Sequence, residues 1–323
     1  MVSSDDKVEI TSGEELGISS GGRRELVTAR VGAPEHWSCQ LLPQGWTAQP
    51  VDADTLEVLK EICQVHNREA LGQGRDAQRY RRTYRNLEVH CAWRIEDLDL
   101  WMRFEVERRV VHRQIASLTA SGLPQFHNSR IADPAARLPG LPTPGVRETW
   151  FLHGSKPDLV LSILNGGLND RVASSSGAFG AGIYLAEDIE KADQYAQPDA
   201  GFEAPGMEEL HSRLFRAGGN THPDEDLFYC FVVRGICGLQ LHTTGLQRLP
   251  PGQASMCDEE TGQQLFMTQD RRELVQVPGS SPPVSHHSMV CGLGKALKRF
   301  REFVIYDANR TYPEYLVAYR RIS

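Results

Sequence analysis

Paired cysteines are missing from this chain. Its seven cysteines, at positions 39, 63, 91, 230, 237, 257 and 291, form no CxxC and no His/Cys pair at zinc-finger spacing. An odd, scattered set in a 323-residue chain favours reduced thiols in an intracellular compartment, nuclear or cytoplasmic, over a disulfide framework. No ligand cluster stands out, so no metal is expected. No window approaches the roughly 18 apolar residues of a membrane-spanning helix, and the opening MVSSDDKVEITSGEE lacks the basic start and apolar run of a signal peptide; no membrane attachment is expected. Excess positive charge is absent too. Lys plus Arg number 35 against 42 Asp plus Glu, a formal net charge of -7, which argues against broad attachment to nucleic-acid phosphates and leaves a local basic patch open. No internal repeat and no dense Lys/Arg run occurs. What is present is ordinary globular material, 40% hydrophobic and 24% charged, enough for one or two cores.

Residues 1–45 are polar and aperiodic and read as a flexible leader or accessory segment. Residues 46–323 carry the folded pattern. Asp52 is placed to cap a helix bearing Leu56, Leu59, Ile62 and Val65. NLEVHCAWRI (86–95) alternates Leu87, Val89, Cys91 and Trp93 on one face, as a half-buried strand does. Leu100, Phe104, Val111, Ile115 and Leu118 share one stripe of a long helix. A Pro/Gly-rich stretch, 133–148, reads as a surface excursion. Strand-like runs follow at 149–154, 182–188, 227–236, 302–308 and 314–321, with two apparent insertions at 197–225 and 247–285. Strands with few helices between them predict an α+β arrangement with an antiparallel bias.

GAFGAGIYLAED (177–188) invites a dinucleotide-loop reading, which fails on order: the fingerprint needs strand, glycines, helix, and here a loop runs into a strand. GLGKA (292–296) fails as a phosphate loop, with Met289 at the first glycine position and Ala296 at the Ser/Thr position. Glycines ahead of a strand do permit close backbone approach by a ligand or another segment, and a ligand-free glycine hairpin remains open as the alternative.

Three segments taken together, FLHGS (151–155), FGAGIYLAEDIEKADQY (179–195) and REFVIYD (301–307), resemble the catalytic domain of the poly(ADP-ribose) polymerase (PARP) family of the His-Tyr-Glu type, and YPEYLVAYR (312–320) is similar to its tankyrase branch. The resemblance implies an ADP-ribosyltransferase fold of the diphtheria-toxin-like kind, an antiparallel split sheet with flanking helices, over 46–323; the family's helical regulatory subdomain has no counterpart in the pattern, so direct dependence of activity on DNA is not expected. It implies NAD+ as co-substrate and transfer of ADP-ribose, single or polymeric, to an acceptor that is protein, with the chain itself one candidate, or else nucleic acid. Residue by residue, it implies that His153 bonds the adenosine ribose, that Gly154 holds the nicotinamide carboxamide through its backbone, and that Ser155 assists at a ribose. It implies that Gly182 belongs to the cofactor-binding set, that Tyr184 and Tyr195 sandwich the nicotinamide, and that Glu302 is the catalytic acid/base. The family's serine eight residues after the strand tyrosine is Ala192 here, and His286 and His287 align with its HHS segment. Read singly, His153, Tyr184, Tyr195 and Glu302 are each also compatible with structural roles. Two other functions stay in competition: a non-catalytic module that binds NAD or ADP-ribose, and an NAD glycohydrolase.

Overall fold

A computed structural model describes residues 32–38, 45–72, 84–118, 127–173, 177–199, 206–216, 220–223, 225–250, 253 and 255–323. One compact unit spans Ala33–Ser323. It starts earlier than composition indicates, because Trp37 is buried against Trp101 and Tyr312, at ring-centroid distances of 5.8 and 6.0 Å. The remainder of the leader, 1–31 and 39–44, lies outside the described residues.

Strand β1 (Thr47–Pro50) leads into helix α1 (Ala53–Ile62). The Asp52 carboxylate accepts from Thr55 N at 2.7 Å, and the helix buries Val58, Leu59 and Ile62; Val65 lies beyond its end. Strand β2 (Asn86–Glu96) departs from simple alternation. Its register slips between Val89 and Cys91, so Leu87 and Val89 pack with α1 while Cys91 and Trp93 face the opposite core. A bulge inserts one residue and exchanges the faces. Asp97 caps helix α2 (Leu98–Ser117), which buries Leu100, Trp101, Phe104 and Val111 and leaves Leu118 at its C-cap.

Each expected excursion proves to be partly core. Within 133–148, Ala135, Leu138 and Val146 are buried, and the Arg234 guanidinium ties down the Pro139 and Gly140 carbonyls. Met207, Leu210, Leu214 and Phe215 from the second excursion, and Leu265, Phe266 and Leu274 from the third, are likewise buried. Proline and glycine interrupt regular hydrogen bonding without preventing burial.

Besides short helical turns, among them Ala132–Ala135, the elements that follow are β3 (Glu148–Ser155), helix α3 (Pro157–Gly166), β4 (Ile183–Leu185), helix α4 (Ile189–Asp193), helix α5 (Met207–His211), β5 (Phe228–Ile236), β6 (Gln240–Thr243), β7 (Ser288–Cys291), β8 (Glu302–Ile305) and β9 (Thr311–Ile322). They form two sheets, ordered β1-β2-β9-β5-β3 and β4-β8-β7-β6. All pairings are antiparallel except β6 with β7. The sheets meet where Leu152 and Ala186 exchange backbone hydrogen bonds of 2.7 and 2.8 Å. That junction brings the end of β3 beside β4, and β8 beside β4, so residues 153, 184 and 302 converge although 149 positions separate the first from the last.

Candidate active site

At the sheet junction a cleft of about 230 Å³ is lined by His153, Gly154, Ser155, Tyr184, Lys191, Ala192, Tyr195 and Glu302, with Leu152, Lys156, Leu159, Leu185 and Ala186 completing the wall. Pockets that enclose a whole drug-sized ligand run roughly 300–1,000 Å³. This one therefore suits one end of an extended ligand, a ring with its sugar, with the rest lying across the surface.

His153 is half-buried, and its Nδ1 lies 3.0 Å from the Tyr184 carbonyl. A carbonyl only accepts, so Nδ1 carries the proton and Nε2 keeps a lone pair for a hydroxyl donor. Burial lowers the affinity of the ring for a second proton, and the Tyr184 carbonyl only partly offsets this. The imidazole is thus held neutral in one tautomer.

Gly154 has a steric reason. A Cβ there would stand 1.9 Å from the Ala192 carbonyl oxygen, because the short helix α4 presses its backbone onto the end of β3. Gly182, by contrast, does not line the cleft. A Cβ on it would meet Val304 Cγ1 at 2.6 Å and the Ile305 carbonyl at 3.0 Å, so its missing side chain makes room for β8. Ser155 is buried, its hydroxyl donating to the Lys156 carbonyl at 3.3 Å.

The Tyr184 hydroxyl is fixed at both ends, accepting from Phe179 N and donating to the Gly180 carbonyl, each at 2.8 Å. Burial, supplemented by the nearby Glu302 charge, pushes its ionisation far above the ordinary tyrosine range. The ring is a rigid, neutral wall. Tyr195 is 44% exposed on the other side of the cleft, an accessible aromatic face of the kind that stacks on planar ligands.

Glu302 is only 4% exposed, which removes its reading as a solvated strand start. Its neighbour Arg301 is anchored separately, with Nη2 donating to Glu187 Oε2 at 2.8 Å and to the Asn128 carbonyl at 2.7 Å. Among the described residues the Glu302 carboxylate is met by the Lys191 ammonium, which also approaches the Tyr195 hydroxyl at 3.3 Å and its ring at 5.2 Å. Burial lowers the Lys191 pKa, but the Glu302 charge outweighs it and leaves the amine above its ordinary value. The carboxylate is thus oriented by one cation in a poorly solvated wall.

Lys191 is the site residue that sequence reasoning missed. In EDIEKADQY it is one of five charged residues in a short run, and charge runs ordinarily face solvent. Tertiary contacts invert that reading, because the flanking acids face inward: Glu190 accepts from His66 N and Asn67 N at 2.7 and 2.5 Å, and Asp193 accepts from Tyr319 Oη and Arg321 Nε at 2.7 and 3.0 Å and from Tyr84. Two buried acids nail α4 in place and present Lys191 and Ala192 to the cleft. The signal available was its position, seven residues after Tyr184.

His286 and His287 do not line the cleft. Both are buried, with His286 Nδ1 2.8 Å from the Val275 carbonyl, and His287 accepting from Leu239 N at 2.9 Å while its Nε2 meets Gln114 Oε1 at 2.8 Å. The expectation of no ligand cluster needs correction as well. Asp199, His211 and His222 bring one ligand atom each to within 4.8 Å of one another, a grouping hidden in the sequence by separations of 12 and 11 residues. Among the described residues no helix is long and apolar enough to cross a membrane, and Cys63, Cys91, Cys230, Cys237, Cys257 and Cys291 are free thiols.

A profile of the poly(ADP-ribose) polymerase catalytic domain matches residues 74–321. A poly [ADP-ribose] polymerase tankyrase of Caenorhabditis elegans is 28% identical over 181 residues, covering 54% of this chain. The chain spans 7% of the length of that relative.

Proposed function

The chain belongs to the poly(ADP-ribose) polymerase catalytic-domain family, α+β proteins of the ADP-ribosyltransferase fold that use NAD+ as co-substrate, and from that premise we propose that His153, Tyr184 and Glu302 are the working residues of an NAD+-dependent ADP-ribosyltransferase. The observation that supports this reading most is the convergence of an acceptor imidazole, a fixed phenol ring and a buried carboxylate on one cleft from three distant segments.

The cleft fits the nicotinamide-ribose end of the dinucleotide. Tyr184 and Tyr195 offer aromatic faces to the planar ring, the backbone at Gly154 offers its carboxamide a donor and an acceptor, and His153 Nε2 accepts from a hydroxyl of the adenosine ribose. Ser155 stands beside His153 to assist there. Gly182 acts on cofactor binding indirectly, by letting β8 pack close enough to bring Glu302 to the cleft.

The reaction breaks the bond between ribose C1′ and the pyridinium nitrogen. Nicotinamide leaves with the bonding pair, and positive charge develops on the ribose. A carboxylate hydrogen-bonded to a ribose hydroxyl stabilises that charge. Glu302 also accepts the proton of the incoming nucleophile as its oxygen bonds to C1′. Lys191 holds the Glu302 carboxylate in register for both tasks. Glu302 permits elongation of a chain as well as a single transfer, and protein, including the chain itself, is the acceptor class. The formal net charge of -7 gives no broad attraction to DNA phosphates; transfer without nicked DNA is the expected outcome, and strong stimulation by nicked DNA would contradict it.

Ala192 favours one competing reading, a module that binds NAD or ADP-ribose without turnover, because it leaves the carboxamide one hydroxyl poorer. Incubation of the purified chain with adenylate-labelled NAD+ decides. Label on protein supports transfer, free ADP-ribose alone indicates a glycohydrolase, and binding without turnover indicates the module.

A further inference from the structure

We propose that Asp199, His211 and His222 form a structural site for one divalent cation of the zinc class, separate from the cleft. Helix α5 delivers His211, the chain that follows delivers His222, and Asp199 stands opposite the start of β5, where Asp199 N donates to the Leu227 carbonyl at 2.9 Å and Leu227 N to Asp199 Oδ1 at 2.9 Å. Asp199 Oδ2 lies 3.2 Å from His211 Nε2 and 2.8 Å from His222 Nε2. The 3.2 Å separation matches the edge of a tetrahedron around a zinc ion, about 3.3 Å for ligands about 2.0–2.1 Å from the metal, and the 2.8 Å separation has to open by about half an ångström to admit one.

Proton counting supplies an independent argument. His222 Nδ1 is 2.6 Å from the Pro223 carbonyl, which only accepts. Nδ1 must therefore carry a proton, which in a neutral ring leaves a bare lone pair on Nε2. That lone pair faces a carboxylate oxygen at 2.8 Å. Two acceptors meet at hydrogen-bond distance, and the same Oδ2 also receives the Tyr229 hydroxyl at 2.7 Å. Either a second ring proton or a metal cation bridging Nε2 and Oδ2 removes the conflict, and metal titration separates the two. A ligating histidine whose second nitrogen donates to a backbone carbonyl, and a ligating carboxylate braced by a hydroxyl, is the usual outer layer of a metal site.

Two histidines with one carboxylate suit Zn²⁺ or a neighbouring first-row ion. Their ring centroids lie 4.5 Å apart, and both rings contact Phe215. The imidazoles are about 30% exposed while Asp199 is buried, so an ion can enter from solvent. Its function is to clip the segment holding Met207, Leu210, Leu214 and Phe215 onto the sheet core that those residues share with Leu227 and Tyr229.

The test uses the full chain, stripped with chelator and titrated with Zn²⁺ and with Co²⁺. One ion per chain, a tetrahedral Co²⁺ absorption band, and a thermal midpoint raised by about 5 °C at metal a hundredfold above Kd are the expected results. The double variant His211→Gln/His222→Gln, at partly exposed positions that leave Asp199 and the core intact, should lose the band and the shift. A parent chain that binds no stoichiometric metal overturns the proposal, since the site is then an imidazolium–carboxylate cluster. Equal metal affinity in parent and double variant overturns it too. Neither outcome bears on transfer of ADP-ribose, which is read separately from labelled NAD+.

Discussion

Two buried ion clusters in this chain have the same ingredients and opposite character. Arg234, 1% exposed, donates to Glu148 Oε1 at 2.9 Å, to Glu314, and to the Pro139 and Gly140 carbonyls, while its guanidinium lies 4.2 Å above the Trp150 ring. The acids are saturated in turn: Glu148 Oε2 accepts from Thr143 N at 3.0 Å and Arg108 at 3.3 Å, and Glu314 Oε1 meets His36 Nε2 at 2.9 Å. Lys191 and Glu302 form a sparse pair at the edge of a cleft. Saturation leaves nothing for a ligand to do. A desolvated carboxylate with one partner and open space beside it retains bonding capacity, and that difference separates architecture from a reactive site.

Glu302→Gln should therefore cut transfer to labelled acceptor by at least about 10²-fold, within the range of a lost acid/base group, with NAD+ affinity and thermal midpoint retained. Undiminished transfer would sink the assignment of Glu302. Arg234→Met should do the reverse, costing about 3–5 kcal/mol of stability because it strands two buried carboxylates; calorimetry reads the loss. A normal midpoint for Arg234→Met would erase the contrast between the two clusters. Lys191→Met should sit between, lowering kcat by about 10- to 100-fold, as expected for losing a charged partner, with a smaller loss of midpoint than Arg234→Met because Glu302 lines an open cleft that water can enter, and with partial rescue by Lys191→Arg.

Acid should act on the saturated parts of the chain first. Burial, with help from Arg310, His286 and Arg147, brings His287 down to about 3 from an ordinary 6.5. Below pH 6.5 the unfolded chain takes up this proton and the folded chain does not, so stability falls as pH drops from about 6.5 toward 3. A His287→Gln variant should show a lower midpoint at neutral pH and a flatter decline below 6.5, measured by thermal melts across that window. An unchanged slope would remove His287 from the acid response. The smallest effect belongs to Ala192→Ser: one neutral hydrogen bond adds about 0.5–1.5 kcal/mol, so nicotinamide inhibition should tighten by roughly tenfold at most.

Much of the fold was legible in local patterns, and the reasons are local. Asp52 and Asp97 cap helices where a carboxylate precedes an apolar stripe. The run ending in FLHGS is a strand because its hydrophobic residues are buried on both faces, Phe151 in one core cluster and Trp150 and Leu152 in another, while β5 pairs along its edge. The exchange of faces along β2 was not legible, since a single-residue bulge leaves no mark in hydrophobic alternation. The expected excursions misled for a related reason: proline and glycine report interrupted hydrogen bonding, whereas burial of Leu138 or Phe266 depends on what lies opposite.

The sequence by itself determined the family, the strand ends bearing His153 and Tyr184, and the carboxylate at 302, because those chemical groups recur in order along the chain. Tertiary structure alone decided that Lys191 faces Glu302 instead of water, that Gly182 serves packing, and that Asp199, His211 and His222 converge. Each of those outcomes depends on contacts between residues far apart in the chain, and no local preference encodes which distant surface a side chain will meet.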